Sequence, residues 1–310
     1  MKIEKVTLIG LGAMGVFFAP RISEKLGAGF RILADGARKE RLEHKGVTVN
    51  QINYRFPIIT PDLEGDPADL IIIAVKGYDL PQALKDIKNQ VGEHTIILSV
   101  LNGVESEKQV AEVYGAEHVL YSYMRISIVM KDGKTEFDPE KGSVHFGEER
   151  NDGAHLSEKV LAVKELFDSC GIGYKIDEDM VKGLWFKFMC NVGENMTCAM
   201  FGVPFGAFQK SADANYFRHA AMHEVINVAN RLGIGLGQSD IDRQEHTIGR
   251  IPYQNKPSTL QDLEAGKRTE VDMFAGTVVR LGKELGVETP VCELFWHGIH
   301  LIEDKIFGEI

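Results

Sequence analysis

Hydrophobic residues in the first half of the chain alternate between short continuous runs and helical periodicity. These runs are mostly apolar, have strand length and span residues 6–10, 30–34, 70–75 and 95–100. Strands that are buried on both faces of a parallel sheet have this composition. Helical stretches separate the runs, at residues 13–26, 38–45 and 79–91. This alternation predicts βαβ units and an α/β fold with a Rossmann-type, doubly wound parallel sheet.

The pattern changes along the second half. Residues 119–146 read as a hairpin with its turn at Lys131-Asp132-Gly133-Lys134, followed by a helix at 156–170 and a short strand at 172–176. Long helical periodicities then dominate, at residues 180–200, 215–232, 270–285 and 291–306. We therefore expect a dinucleotide-binding domain over residues 1–175 and an all-helical substrate and catalytic domain over residues 176–310. The polar stretch 240–256 is predicted to be a mobile loop.

Composition narrows the class of protein. The chain has 310 residues, 44% of them hydrophobic, and a formal net charge of −10, which disfavours nucleic acid or an anionic membrane as the main partner. No apolar run reaches the ~18–20 residues that cross a bilayer, and the first residues do not resemble a signal peptide. We expect a cytoplasmic enzyme. The four cysteines, Cys170, Cys190, Cys198 and Cys292, form no Cys-x-x-Cys pair, so buried thiols are expected and no metal site is.

The segment Gly10-Leu11-Gly12-Ala13-Met14-Gly15, called the glycine turn below, joins the first strand to the first helix. Gly10 permits a tight turn, Gly12 lets the backbone approach a pyrophosphate, and Gly15 lets the helix pack on the strand. The N-terminus of the helix offers free N–H groups and the positive end of its dipole. All six residues are predicted to bind a dinucleotide.

The form of the dinucleotide is less clearly indicated. Asp35 ends the second strand, twenty residues after Gly15, where a carboxylate binds the adenosine ribose and repels a 2′-phosphate, favouring NAD(H). Arg38, Lys39 and Arg41 follow and could pair with a 2′-phosphate, or could form a solvated helix face. The residues alone leave both forms open.

In the second half, Lys187, Asn191 and Asn195 are spaced four apart and share one face of a predicted helix. We call these three residues the polar stripe. Apolar residues surround it, and a polar line is costly to bury without partners. The asparagines could instead bridge neighbouring helices while Lys187 reaches water. The spacing of these residues alone does not distinguish a substrate-binding or catalytic site from asparagines that bridge neighbouring helices.

Several motifs occur together in a recognisable order. They are the glycine turn, Ala74-Val75-Lys76, Leu101-Asn102-Gly103-Val104, Trp185 with the polar stripe, Pro257-Ser258, Asp262, Thr269-Glu270-Val271-Asp272, Gly276, Gly286-Val287 and Thr289-Pro290. Over nearly the whole chain this order resembles the ketopantoate reductase (2-dehydropantoate 2-reductase) family. The resemblance implies reduction of the ketone of ketopantoate to D-pantoate with NADP(H), in the route to pantothenate and coenzyme A.

The resemblance also implies roles for particular residues. Lys187 is similar to the family's catalytic lysine and Glu270 to its partner carboxylate. The substrate-binding residues implied are Asn191, Asn195, Ser258 and Asn102, and the cofactor-binding residues implied beyond the glycine turn are Asp35, Arg38, Lys76 and Asn102. Chemistry agrees, since a protonated lysine can stabilise and protonate the oxyanion that forms as a ketone accepts hydride. Without the family resemblance, Glu270 would be interpreted as a solvated carboxylate at the start of a helix.

Two departures from the family pattern stand out. Asp35 occupies a position where the family usually has an arginine for the 2′-phosphate, which makes NAD(H) a serious alternative cofactor. Tyr121-Ser122-Tyr123-Met124-Arg125 is bulkier than the family's small-residue segment, so the surroundings of the nicotinamide are expected to differ.

Two other functions are alternatives to the ketopantoate reductase hypothesis. One is a β-hydroxyacid dehydrogenase, against which the block from Ser258 to Glu270 argues. The other is a non-catalytic dinucleotide sensor, which would not need Lys187 and Glu270. A homodimer face is one use for the helical residues Phe274, Val278, Leu281 and Trp296, and the protein core is the other.

Overall fold

The computed structural model describes residues 1–126, 129–131 and 134–310. Asp132 and Gly133, the centre of the predicted hairpin turn, lie outside these residues. The chain divides into two compact units, Met1–Val181 and Lys182–Ile310. The assignment of residues 1–175 to cofactor binding and 176–310 to substrate and catalysis stays a prediction.

The first unit is built on an eight-stranded sheet and a smaller four-stranded sheet. In chain order the strands are β1 Val6–Ile9, β2 Phe30–Leu33, β3 Val47–Val49, β4 Ile52–Tyr54, β5 Ile58–Ile59, β6 Leu70–Ile73, β7 Ile96–Ser99, β8 Val119–Arg125, β9 Val129–Lys131, β10 Lys134–Glu136, β11 Ser143–Gly147 and β12 Tyr174–Lys175. The large sheet has the order β12-β11-β8-β7-β6-β1-β2-β5, and the small one β4-β3-β10-β9.

The large sheet is parallel from β5 to β8, and only β11 runs antiparallel to its neighbour β8. Every residue of β1, β2, β6 and β7 is buried, which explains why these strands are mostly apolar. Their polar members, Thr7, Arg31 and Ser99, are buried as well. Val6 pairs with Phe30 on one side and with Leu70 on the other. The strand order therefore reverses at β1, and ligands of such sheets bind beyond the carboxyl ends of the strands at this switch point.

Helices cover the sheet of the first unit. They are α1 Gly15–Leu26, α2 Gly36–Lys45, α3 Leu80–Asp86, α4 Ser106–Tyr114 and α5 Glu158–Ser169. The main core lies between the sheet and helices α1 and α5, where Phe18, Phe146 and Phe167 pack with ring centroids 5.3–5.9 Å apart.

The described residues of the second unit form helices and no strand. After α6 Met180–Phe201 come α7 Ala212–Arg231, α8 Gln238–Ile248, α9 Ser258–Glu264, a π-helical turn Asp272–Gly276, α10 Thr277–Leu285 and α11 Pro290–Phe307. The predicted fold class, a Rossmann-type sheet followed by an all-helical part, is confirmed. No helix in the described part of the chain is long and apolar enough to cross a membrane.

One prediction about the second unit needs correction. The predicted loop 240–256 is half helix, because α8 continues to Ile248 and buries Ile241, Gln244 and Ile248 on one face. Its helical signal was weak because one of these three residues is polar. Of the four residues that could form either a homodimer face or the core, Phe274 and Val278 are buried within this chain, which is the core alternative for these two.

Candidate active site

The glycine turn leaves β1 and enters α1 with tight backbone contacts. Gly10 has a φ of +95°, and a Cβ there would come within 2.5–2.6 Å of the backbone of Ala74 and Val75. A Cβ on Gly15 would meet the carbonyl oxygen of Gly10. Glycine at both positions is therefore required by the packing of the turn against β6 and against itself.

Gly12 is different, because a Cβ there would meet no atom within 4 Å. The packing of the chain does not demand glycine at this position. No side chain caps α1, and its first turn contains no acidic residue, so its N-terminus is free to attract an anion. These features fit a phosphate that approaches the backbone at Gly12.

The other predicted cofactor residues lie at the same edge of the sheet. Asp35 follows β2 by two residues, and Lys76 and Asn102 follow β6 and β7 by three. Because β2, β1, β6 and β7 are parallel neighbours, their carboxyl ends place these residues beside the glycine turn. Asp35, Lys76 and Asn102 therefore lie at the sheet edge that contains the switch point, whereas Arg38 lies on α2.

Asp35 is the N-cap of α2, and its Oδ1 accepts the backbone N–H of Gly36 at 2.7 Å. The side chain is exposed, so its carboxylate has further acceptor capacity. Among the basic residues that follow, Lys39 pairs with Glu43 at 2.7 Å within α2. Arg38 is exposed and makes no ion pair within the described residues.

In the second unit, the polar stripe lies on α6. Lys187 and Asn191 are partly buried, and Asn195 is only 6% exposed. Trp185 and Phe188, which flank the stripe, are buried, with their ring centroids 5.6 Å apart. An ammonium and two amides thus project from a helix face bordered by aromatic rings, a setting in which charge and hydrogen bonds act more strongly than in water.

Glu270 is 6% exposed and lies two residues before the π-helical turn Asp272–Gly276. Its carbonyl accepts the N–H of Phe274, within the turn, at 3.1 Å. The ring of Phe274 lies 6.4 Å from that of Phe188. Since Phe188 adjoins Lys187, the backbone segments that carry Lys187 and Glu270 pack side by side.

Ser258 is the first residue of α9 and is exposed. Two residues later, Leu260 joins a core cluster with Cys198 of α6. Because Cys198 lies three residues beyond Asn195, the start of α9 is tied to the end of the polar stripe. The polar stripe on α6, Ser258 at the start of α9 and Glu270 before the π-helical turn thus belong to three separate segments of the second unit.

Comparison with known proteins decides the family. The family model described as "Ketopantoate reductase PanE/ApbA" matches residues 6–151, and its C-terminal counterpart matches residues 179–303. The chain belongs to the ketopantoate reductase family.

Individual relatives are distant but cover the whole chain. A 2-dehydropantoate 2-reductase from Streptococcus pyogenes serotype M3 is 28% identical over 96% of this chain and 97% of its own length. A solved D-mandelate dehydrogenase with NADH and anilino(oxo)acetate has a TM-score of 0.86 at 23% identity, covering 98% and 99% of the two chains. A PanE/ApbA family ketopantoate reductase from Ralstonia eutropha JMP134 has a TM-score of 0.81 at 22% identity, with the same coverage. At these identities the structural matches show the fold.

In this member of the ketopantoate reductase family, the bulky segment of β8 takes part in a buried polar cluster. The Tyr123 hydroxyl donates to Asp177 Oδ2 at 2.6 Å, and His145 Nδ1 lies 2.7 Å from the same oxygen. Tyr123 and His145 are stacked cross-strand partners. Burial raises the pKa of Asp177, but the hydrogen bonds from His145 and Tyr123 outweigh it and hold that pKa below its usual value. Sequence reasoning missed this cluster, because only the register of β8 and β11 reveals it.

A second missed feature lies beside the polar stripe. Arg218 of α7 is fully buried and is 3.8 Å from Glu194 of α6, and it also pairs with Glu245 of α8. Gln244 donates to Glu194 at 2.8 Å. A buried charge requires such partners, so this group ties three helices together next to Asn195. Arg218 stands in an amphipathic stretch without a motif, and no sequence signal marks it.

All four cysteines are at least partly buried. Cys190, Cys198 and Cys292 are buried, and Cys170 is partly buried. Burial raises the pKa of the Cys198 and Cys292 thiols well above the usual value, which disfavours the thiolate that reacts or binds metal.

Proposed function

We propose that this chain reduces the ketone of a small 2-keto acid by hydride transfer from NAD(P)H, with ketopantoate as the first substrate to test and D-pantoate as its product. The polar stripe carries the proposal, because it places one cation and two amides on a helix face beside the segment of Glu270. Membership of the ketopantoate reductase family supports the same reaction. The role of each residue stays a prediction.

The nicotinamide ring of the dinucleotide supplies the hydride when it is bound. The glycine turn fits such a ligand, since the position of a Gly12 Cβ is open and the N-terminus of α1 carries no acidic residue. Lys76 and Asn102 follow the neighbouring strands β6 and β7, where they can bind the ribose and the carboxamide of the cofactor. These residues bind and orient, and they carry out no chemistry themselves.

Lys187 is the proposed general acid. As hydride reaches the carbonyl carbon, negative charge develops on the oxygen, which a protonated ammonium stabilises and then protonates. Glu270 would keep Lys187 charged and oriented. Asn191, Asn195 and Ser258 can bind the substrate carboxylate and hydroxyl as neutral partners, which leaves the charge of Lys187 for the reacting oxygen.

Asp35 favours NADH over NADPH in this proposal. Its carboxylate is exposed at the end of β2, where it can accept hydrogen bonds from the ribose and would repel a 2′-phosphate. The D-mandelate dehydrogenase of similar fold was solved with NADH. Arg38 and Arg41, both exposed on α2, could still bind a 2′-phosphate. The cytoplasmic location and a homodimer stay predictions from the sequence.

The test follows the oxidation of NADH and of NADPH by absorbance, with ketopantoate, the 2-keto acid of mandelate and a panel of other 2-keto acids. We expect turnover with at least one of them, faster with NADH. Asp35→Arg should shift the preference toward NADPH, and Asp35→Asn serves as the control that removes the charge and keeps a helix-capping side chain. If neither cofactor is oxidised with any 2-keto acid, the enzyme hypothesis is wrong and a dinucleotide sensor becomes the better hypothesis.

A further inference from the structure

The segment that carries Glu270 is anchored on its N-terminal side by α11. The Glu303 carboxylate, 3% exposed, accepts the backbone N–H of Thr269 at 2.7 Å. The Thr269 hydroxyl in turn accepts the backbone N–H of Val271 at 3.2 Å. The backbone N–H groups of Thr269 and Val271, the residues before and after Glu270, are therefore bound to one buried carboxylate and one buried hydroxyl.

The same helix anchors the segment on its C-terminal side. The Asp272 carboxylate accepts the indole N–H of Trp296 at 2.7 Å through Oδ1, and this oxygen also lies 3.0 Å from His300 Nε2. The other ring nitrogen of His300 lies 3.6 Å from Glu303 Oε2. Spacings of four and three place Trp296, His300 and Glu303 on one face of α11. We call Asp272, Trp296, His300 and Glu303 the α11 network.

The backbone between Asp272 and Gly276 leaves room for the hydrogen bonds of the α11 network. A Cβ on Gly276 would come within 3.2 Å of Trp296 Nε1 and 3.6 Å of Asp272 Oδ1, so any larger residue would crowd the hydrogen bond between them. The segment from Asp272 to Gly276 is a π-helical turn, a geometry that is rare and concentrates at functional sites. A carboxylate as buried as that of Glu303 is costly unless it is hydrogen-bonded, and here its partners are Thr269 and His300.

We propose that the α11 network positions Glu270, so that its members act on the reaction through Glu270 without touching substrate or cofactor. This inference rests on the proposed function, in which Glu270 orients Lys187. Three contacts carry it, namely Glu303 with Thr269, Asp272 with Trp296, and His300 between the two carboxylates. They bind the backbone within two residues of Glu270 on either side and leave the Glu270 side chain to act.

The main test compares neighbouring acids on α11. Glu303→Leu removes the acceptor of the Thr269 N–H, and it should lower kcat roughly 10–100-fold, the cost of a small misplacement of a catalytic group, with the KM for the dinucleotide unchanged. Glu303→Gln keeps a carbonyl oxygen for Thr269 and should restore most of the activity. Asp304→Leu changes the adjacent acid, whose side chain makes no hydrogen bond within the described residues, and it should leave kcat unchanged.

Two further measurements separate positioning from a general loss of structure. In a Glu270→Gln background, Glu303→Leu should cause little additional loss, because both changes disable the same group. Hydrogen exchange of the peptide over residues 267–274 should speed up in Glu303→Leu and not in Asp304→Leu. A full and independent loss of kcat in the double variant, or unchanged exchange in Glu303→Leu, would overturn the inference.

The failure of this inference can be told apart from the failure of the proposed function. If the unaltered protein turns over a 2-keto acid and Glu303→Leu retains full kcat, only the positioning role is wrong. If the unaltered protein turns over no 2-keto acid with either dinucleotide, the proposed function is wrong, and the positioning role falls with it.

Discussion

The glycine turn and the polar stripe present their polar groups in different ways. In the glycine turn the main chain is the binding surface, and the requirement on side chains is that Gly10 and Gly15 have none. In the polar stripe the side chains are the binding surface, and helix α6 holds them about one helical turn apart. The turn contacts mainly its own neighbours β1 and β6, whereas the stripe depends on two other segments, those of Ser258 and Glu270.

This difference governs how each region tolerates change. A backbone site fails when a new atom occupies its space, so substitutions there act through steric clash. A side-chain site fails when a charge or a hydrogen-bond partner is lost, so substitutions there act through chemistry, or through the buried polar groups that hold the helices in place. Four predictions test this contrast.

The largest effect is expected in the polar stripe. Lys187→Ala removes the proposed general acid, and kcat should fall roughly 10²–10⁴-fold, the usual contribution of a positioned acid. Because α6 is held by its aromatic neighbours and by Glu194, the variant should retain its helix content and its melting temperature. Steady-state kinetics with the preferred dinucleotide measure the loss, and Lys182→Ala, five residues earlier on α6, is the matched control. An unchanged kcat in Lys187→Ala would show that another group protonates the product.

The next effect concerns the buried charges beside the stripe. Arg218→Met leaves Glu194 and Glu245 without their arginine partner, and breaking a buried pair in this way costs about 3–5 kcal/mol of unfolding free energy. Lys283→Met breaks the exposed pair with Glu293, whose side chains are 66% and 45% exposed, and it should cost at most about 1 kcal/mol. Urea unfolding compares the two variants. If Arg218→Met and Lys283→Met have the same free energy of unfolding, the ion pairs of Arg218 with Glu194 and Glu245 do not hold α6, α7 and α8 together.

The two regions also differ in how far the sequence alone predicted them. The glycine turn could be located because each of its requirements is local, and the buried strands on which it depends are mostly apolar runs. The polar stripe could be seen as a pattern, but its spacing equally fitted asparagines that bridge helices. Glu270 and Ser258 lie 75 and 63 residues beyond Asn195, and only the family resemblance linked them to it.

Other elements escaped prediction for physical reasons. The sequence predicts a loop at helix α8 because the buried face of the helix includes Gln244, which hydrogen-bonds to Glu194 where an apolar residue would be expected. The Tyr123 cluster depends on the register of two strands, and strand register is set by tertiary packing. The α11 network joins residues 269–272 to residues 296–303 through individual hydrogen bonds. Such contacts between distant segments leave no periodic pattern in the sequence.

A smaller effect should distinguish two glycines of the turn. Gly15→Ala places a methyl group against the carbonyl oxygen of Gly10, and such overpacking costs about 1–3 kcal/mol of stability. Gly12→Ala meets no neighbour within 4 Å, so the fold should keep its stability while NADH binding weakens. Thermal melting and NADH fluorescence titration separate the two outcomes. If Gly12→Ala binds NADH as tightly as the unaltered protein, the pyrophosphate does not approach the backbone there.

The smallest expected effect is a pH dependence of stability at Asp177. Hydrogen bonds from His145 and Tyr123 hold the pKa of Asp177 below its usual value, so the unfolded chain takes up a proton at this residue before the folded chain does. The contribution of Asp177 is therefore complete above pH ~4, the ordinary aspartate pKa, and is lost as the pH falls through the folded-state value.

Asp177→Asn should cost about 1 kcal/mol at neutral pH, the typical net worth of one hydrogen bond, and the difference from the unaltered protein should shrink below pH ~4. Urea unfolding at a series of pH values measures it. Tyr123→Phe removes one of the two donors, so it should show a smaller difference with the same trend. A gap between Asp177→Asn and the unaltered protein that stays constant down to pH 3 would mean that the cluster does not favour the ionised carboxylate. In that case the cluster would stabilise the fold by packing, and the ionised state of Asp177 would not contribute.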